Sequence, residues 1–372
     1  MDFLAGLVAG LVGVNSENPP GREADAARFF AEKAAENGLK AKVVDHGGGR
    51  ASALVEVDFG PGPVVVFNSH LDTVPAGSLE RWSFHPFTAG VRGGFVLGRG
   101  SVDAKGCLAA MLDGLVSLKN ERLSGKVVLM AVADEEVGGM GSLVLMKMLE
   151  RMDYVVVGEP TSLNLCVASR GRTEVTMNFL GRPAHASMPL QGRNAAAAAA
   201  KAVVKLSKLE RGYGTKGRLV GRNSAVVTVF ESGLKPNVVP DAAKVVVDVR
   251  TIDESPLTTL SFLKRYVRTV IPAGVGFKAF VSSSIPYYRS DVDGKLVKVC
   301  RQALQEAGVE PVLKGFPAAT DLNRMNRVKK VDGVIFGPGD LRLAHSFSEK
   351  VSLKELSKAS VVYKLIAEKL LD

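Results

Sequence analysis

The sequence predicts an α/β fold, a mostly parallel sheet with helices on both faces, interrupted by an inserted α+β domain. Apolar, β-branched runs at Val64–Phe67, Lys126–Ala133 and Tyr154–Val157 alternate with helical segments, the mark of parallel βαβ construction. From about Arg170 the order changes to β-α-β-β-α-β, a ferredoxin-like split unit, after which the α/β alternation resumes. At 372 residues the chain is long for a single core. The expected organisation is one domain in two segments, 1–170 and 283–372, around a second at 171–282.

In chain order, residues 1–14 read as an amphipathic helix stopped by Asn18-Pro19-Pro20-Gly21, and Arg22–Asn37 as a second with Gly38 as its C-cap. Strands follow at Lys40–Val44 and Ala53–Val57 with Gly47-Gly48-Gly49 between them, then the buried strand from Val64. Ala76–Gly98, rich in Gly, Pro and aromatics, reads as loop. Helices are expected at Cys107–Lys119 and Ser142–Arg151. In the insertion the strands are Thr173–Leu180, Ser224–Phe230, Lys244–Arg250 and Val275–Val281, with helices Asn194–Leu209 and Pro256–Val270. Helix Asp293–Ala307, strand Gly333–Phe336 and a helix from Leu353 complete the chain.

Composition excludes several classes. With 46% hydrophobic and 23% charged residues the chain has an ordinary globular balance. Cys107, Cys166 and Cys300 form neither a disulfide framework nor a CxxC pair, which suits a reducing cytoplasm. The segment 1–14 has no basic leader and is too short to span a bilayer, so the expectation is a soluble, unprocessed protein. The net charge of +10 is scattered, and aromatics are only 6%. A surface that attracts anionic small molecules fits better than nucleic-acid binding.

The chemistry gathers where apolar runs end. Val64–Ser69 ends in His70-Leu71-Asp72, and residues i and i+2 of extended chain face one way, so a metal-binding imidazole would leave the strand beside an orienting carboxylate. Lys126–Ala133 runs into Asp134-Glu135-Glu136, Tyr154–Val157 into Gly158-Glu159-Pro160, and a fourth polar strand end is Ala344-His345-Ser346. Sites in open α/β sheets lie at these carboxyl ends. Gly98-Arg99-Gly100-Ser101-Val102-Asp103-Ala104-Lys105-Gly106 lacks the Gly-Lys-Ser/Thr order of a phosphate loop. Its glycines instead let Asp103 approach a metal.

His70, Asp103, Glu136, Glu159 and His345 offer imidazole and carboxylate without thiolate, a set suited to Zn, Co or Mn. Five ligands fit two ions sharing one carboxylate. Adjacent Glu135 and Glu136 would face opposite ways in extended chain, so that one binds metal and the other moves a proton.

Taken together, Ser69-His70-Leu71-Asp72-Thr73-Val74-Pro75, the Asp103 segment, Asp134-Glu135-Glu136, Gly158-Glu159-Pro160 and Ala344-His345-Ser346 resemble the co-catalytic zinc amidohydrolase and peptidase family. That family includes acetylornithine deacetylase, succinyl-diaminopimelate desuccinylase, aminoacylase and glutamate carboxypeptidase. The resemblance implies a zinc-peptidase-like fold in which Asp103 bridges two zinc ions. His70 and Glu159 would complete one site, and Glu136 and His345 the other. It further implies that Glu135 is the general base, that Asp72 orients His70, and that the Asp103–Ala104 peptide is cis. The inserted domain would be a lid and dimerisation domain, making a homodimer. Gly181–Pro189 matches the family's histidine motif, so His185 would stabilise the oxyanion. Asn237 and Arg250 would hold a substrate carboxylate.

Two departures, Ala318-Ala319-Thr320-Asp321 for Gly-Gly-Thr-Asp and Ser348-Glu349 for Asn-Glu, are expected near the substrate. The implied activity is cleavage of an N-acyl amino acid by a metal-bridged hydroxide. Its alternatives are a carboxypeptidase or dipeptidase action, and release of an amino acid from an acidic carrier protein.

Overall fold

The structure, a computed structural model, describes residues 3–372. Its chain divides into two compact units. The first is the chain up to Ala168 with Arg289–Phe316 and Thr320–Asp372; the second is Ser169–Tyr288 with Pro317–Ala319.

At the centre of the first unit four parallel strands lie in the order Lys126–Val132, Val64–His70, Tyr154–Val157, Gly333–Ile335. They are buried almost throughout, which is why they read as continuous apolar runs and not as alternation. The sheet is mixed at its flanks. The antiparallel hairpin Lys40–Gly47/Arg50–Asp58 joins one side, and Leu165–Ser169 pairs antiparallel with Gly333–Ile335. The helix expected over residues 1–14 is seen as Phe3–Gly13, its first two residues lying outside the described part.

Helices cover both faces. Phe67 sets its ring 5.4 Å from Tyr363 of the helix Leu353–Leu371. The next residue, Asn68, donates to the Asp321 carboxylate at the head of the helix Asp321–Val328, at 3.2 Å. Neighbouring strand residues face opposite ways, so these two helices lie on opposite sides. Asp321–Val328 was not expected from the sequence; Thr320 and Asn323 cap it reciprocally.

Register aligns the strand ends. His70 pairs with Val132 and Asn68 with Val157. The Leu71 N–H donates to the Val132 carbonyl and the Gly158 N–H to that of Asn68, each at 2.7 Å. Three neighbouring strands therefore release the chain at one level, with His70, Glu135-Glu136 and Glu159 beside one another. His345 arrives differently from the expected strand end: it follows the short 3-10 turn Leu341–Leu343 and adopts a left-handed φ of 60°. The Ala76–Gly98 segment also carries more structure than a loop. Gly90–Arg92 and Phe95–Leu97 form a hairpin extended by Lys350–Ser352, and Trp82 is buried with its indole N–H on the Ala76 carbonyl.

In the second unit an antiparallel sheet runs Tyr213–Gly217, Gly221–Ser232, Ala242–Thr251, Gly171–Leu180, Gly276–Ile285. Its core joins Val175, Met177 and Phe179 to Ala198, Ala199, Ala202, Leu263 and Val267 from the helices Ala195–Leu206 and Pro256–Arg268. Alternate residues of the central strand face these helices, which gives the period-2 pattern. Asn194 and Ser255 cap the two helices by accepting from Ala197 and Thr258 N–H groups. Among the described residues no helix is long and apolar enough to cross a membrane.

Candidate metal centre

Asp103 belongs to two side-chain triads. His70, Asp103 and Glu159 form one, and Asp103, Glu136 and His345 the other; in each, the candidate ligand atoms lie within 4.8 Å of one another. The two oxygens of Asp103 divide between them. Oδ1 is 3.0 Å from His70 Nε2, and Oδ2 is 3.2 Å from His345 Nε2. His345 Nε2 is also 3.2 Å from Glu136 Oε1. The Asp103–Ala104 peptide is cis.

The donor chemistry fits cations. His70 Nδ1 lies 2.9 Å from the Asp72 carbonyl. A carbonyl only accepts, so Nδ1 carries the proton and Nε2 is left as the ligand atom. Burial pushes Glu159 well above the usual carboxylate range, and the neighbouring Asp103 and Glu135 charges push the same way. Burial opposes charge on Asp103 too, yet His345 and His70 hold its carboxyl low when their Nε2 atoms carry protons, positive charge in the place a bound ion would take. Hydrogen bonds to Asp103 and Glu136 lift His345 to about 10. Three carboxylates crowded around two imidazoles make this a place where positive charge is stabilised. Two divalent ions held by His70, Asp103, Glu159, Glu136 and His345 would supply it.

Asp72 does more than face His70. Its carboxylate Oδ1 is 3.6 Å from His70 Nδ1, and the shorter tie runs through its own main-chain carbonyl. The carboxylate also accepts the Glu135 N–H on Oδ1 and the Glu136 N–H on Oδ2, each at 3.1 Å, and Asn18 Nδ2 on Oδ2 at 2.9 Å. Glu135 and Glu136 sit in a turn, not in extended chain. Their divergence is set by that turn: Glu136 meets His345, while Glu135 Oε1 accepts from Arg324 Nη1 at 2.8 Å. Burial lifts Glu135 to about 7 against the pull of the Arg324 charge, near the value that suits proton transfer at neutral pH.

Sequence reasoning missed the supports. Glu349 is fully buried: Oε2 pairs with Arg99 at 2.5 Å, and Oε1 accepts the Val102 and Asp103 N–H groups at 3.1 and 3.2 Å. It therefore fastens the backbone of Asp103 from inside the core, a role the reading of this departure as a substrate-side change did not foresee. Arg50 pairs with Asp134 and donates to Asn18 Oδ1 at 2.7 Å, tying the Asn18-Pro19 segment to the Asp134–Glu136 turn. These partners are far apart in the chain, so no local pattern announces them.

Behind Arg50 lies Glu23, whose carboxylate oxygens are buried without hydrogen-bond partners and whose Oε1 is 3.7 Å from Arg50 Nη1. Burial raises it from 4.5 to about 7. Between those values the folded chain holds more protons than the unfolded one. Stability from this group is thus full below the unfolded pKa and is lost as pH rises through the folded one. The loss is about 3 kcal/mol across the window. Glu23→Gln is expected to raise Tm at about pH 8 and to change it little near pH 5. Parallel Tm–pH curves for the two proteins would refute this.

His185, Asn237 and Arg250 all belong to the second unit. His185 is bridged to Val238, and the Ala186 N–H donates to the Asn237 carbonyl at 2.9 Å, so His185 and Asn237 lie on adjoining strands of chain. The Ser187 N–H donates to His185 Nδ1 at 3.2 Å, which leaves Nε2 as the donor of the neutral ring. Arg250 Nε meets Asp248 Oδ1 at 2.7 Å, and Arg172 takes the other oxygen of Asp248 at 2.5 Å.

The sequence pattern of the peptidase family M20/M25/M40 matches residues 66–369. A Pyrobaculum aerophilum protein named as a LysW-lysine/LysW-ornithine hydrolase is 30% identical over 363 residues, 95% of this chain and 94% of its own. A Staphylococcus epidermidis protein named as a succinyl-diaminopimelate desuccinylase is 26% identical, over 92% of this chain and 91% of its own. Among solved structures, the M20 family metallo-carboxypeptidase of Sulfolobus solfataricus superposes with a TM-score of 0.82 at 19% identity, covering 100% of this chain and 99% of its own.

Proposed function

This chain belongs to peptidase family M20/M25/M40, and from that premise we propose that it hydrolyses the amide bond of an N-acyl amino acid, of the acetylornithine or succinyl-diaminopimelate type. The observation that carries the reading is Asp103, shared by two ligand triads, one of which holds Glu136, the chain neighbour of Glu135. When bound, a pair of divalent ions, Zn in our assignment with Co or Mn as alternatives, would acidify water and polarise the scissile carbonyl.

The remaining steps belong to side chains. Glu135 accepts the proton of the attacking water on the oxygen that Arg324 does not hold, then delivers it to the leaving amine nitrogen. Asp72 keeps the Glu135-Glu136 turn in place. We assign His185 Nε2–H to the oxyanion, and Asn237 and Arg250 to a carboxylate of the substrate. We further assign the chain to a cytoplasmic homodimer formed through the second domain, which sedimentation would test as a mass twice that of one chain.

A second reading, release of an amino acid from an acidic carrier protein, is favoured by the net charge of +10 and by the name of the Pyrobaculum relative. The substrate test is a panel of N-acetyl and N-succinyl diamino acids, dipeptides and a carrier bearing a C-terminal amide-linked lysine, each with added Zn or Co. The N-acyl amino acids are expected to turn over at least ~10-fold faster than dipeptides, a gap of about 1.4 kcal/mol in barrier. Preferential cleavage of the carrier conjugate would replace the first reading with the second. Equal activity after exhaustive chelation would defeat both.

A further inference from the structure

We propose that Arg324 is a positioning residue for the proton-transferring Glu135, holding one carboxylate oxygen so that the other faces the reacting groups. The inference rests on the reading of Glu135 as the base. Arg324 Nη1 donates to Glu135 Oε1 at 2.8 Å and lies 3.4 Å from Asp321 Oδ1. Side-chain exposure is 12% for Arg324 and 13% for Glu135, so the pair is little screened by solvent. Glu135 Oε2 has no hydrogen-bond partner given by any described residue. A carboxylate held on one oxygen by a guanidinium keeps one rotamer while its second oxygen stays available to exchange a proton.

The surroundings are shaped for this guanidinium. Gly139 has a left-handed φ of 72°, and a Cβ there would fall 2.2 Å from Arg324 Cδ and 2.6 Å from Nε. The Gly138-Gly139 turn that follows the Glu135-Glu136 pair thus leaves a slot which the Arg324 side chain fills. Asp321 fixes the other end: it is fully buried, and its Oδ2 accepts from Asn68 on the central strand. Arg324 also stands on the helix Asp321–Val328, capped by Thr320 and Asn323, which limits movement of its Cα. Helix, turn and strand therefore converge on one contact, the guanidinium with Glu135.

Arg324→Ala is expected to lower kcat about 10- to 100-fold, with KM within about threefold and the metal content of the parent. Free guanidinium ion in the assay should restore part of kcat in this variant and none in Glu135→Gln. In the Glu135→Gln background the same substitution should cost less than about twofold, because the group it positions is already gone. Arg324→Lys keeps the charge but not the fork; it should fold as the parent does and show an intermediate kcat. If Arg324→Ala fails to fold, the Lys variant decides alone: a several-fold lower kcat with full metal supports the proposal, and an unchanged kcat overturns it. Loss of metal, or equal losses in both Glu135 backgrounds, also overturns it. Full activity of Glu135→Gln would instead remove the reading of the base, whatever Arg324 does.

Discussion

An Asp103→Ala chain is expected to retain neither ion and to lose kcat by about 10³-fold or more, several kcal/mol of barrier. The expectation follows from sharing. His70 and Glu159 serve one triad and Glu136 and His345 the other, but Asp103 serves both, one oxygen to each imidazole. Removing it leaves two ligands on either side, too few for a firmly held ion. His345→Ala, by contrast, should cost one ion and spare the one held by His70, Asp103 and Glu159. Metal-to-protein ratios after gel filtration measure the difference. If Asp103→Ala binds as much metal as the parent, the two triads are independent sites or no sites at all.

The second large effect is expected at Glu135. Glu135→Ala should reduce kcat by roughly 10²- to 10⁴-fold, the usual range for a positioned acid–base group, while metal content and KM stay near those of the parent. The side chain touches Arg324 and belongs to neither triad, so its loss should leave ion binding intact. Single-turnover measurements at saturating substrate isolate the chemical step. Retention of more than about a third of the parent's rate would end the assignment of Glu135 as the base.

The outline of this centre was readable because each strand-borne ligand follows an apolar run whose burial is itself a sequence property. Val64–Ser69 must be covered on both faces, so its tip must lie at the edge of the core, and His70 is the residue found there. The same reasoning located Glu136 and Glu159. It found His345 but not its setting: the residue is itself left-handed and follows a 3-10 turn, not a strand, a placement that no hydrophobic period encodes. It was incomplete for Asp72 and Glu349. Asp72 stands beside His70 as read, but its carboxylate also acts on the turning backbone of Glu135 and Glu136; Glu349, read as a departure on the substrate side, acts on the distant backbone of Val102 and Asp103. Arg324 left no trace at all, since one arginine on an eight-residue helix resembles any surface arginine until the fold brings Glu135 to it. Periodicity reports which groups reach the surface of the core, and long-range pairing decides what they do there.

The interrupted course of the first unit bears on when the enzyme comes alive during its own synthesis. His70, Asp103, Glu136 and Glu159 are all made before Ser169–Tyr288, while Arg324, His345 and Glu349 are made after it. A nascent chain that has folded its leading half at the ribosome thus lacks the second imidazole and the supports of Glu135 and Asp103. Hydrolytic competence must wait until translation has passed Glu349, so a chain that stalls inside the insertion would be released inert.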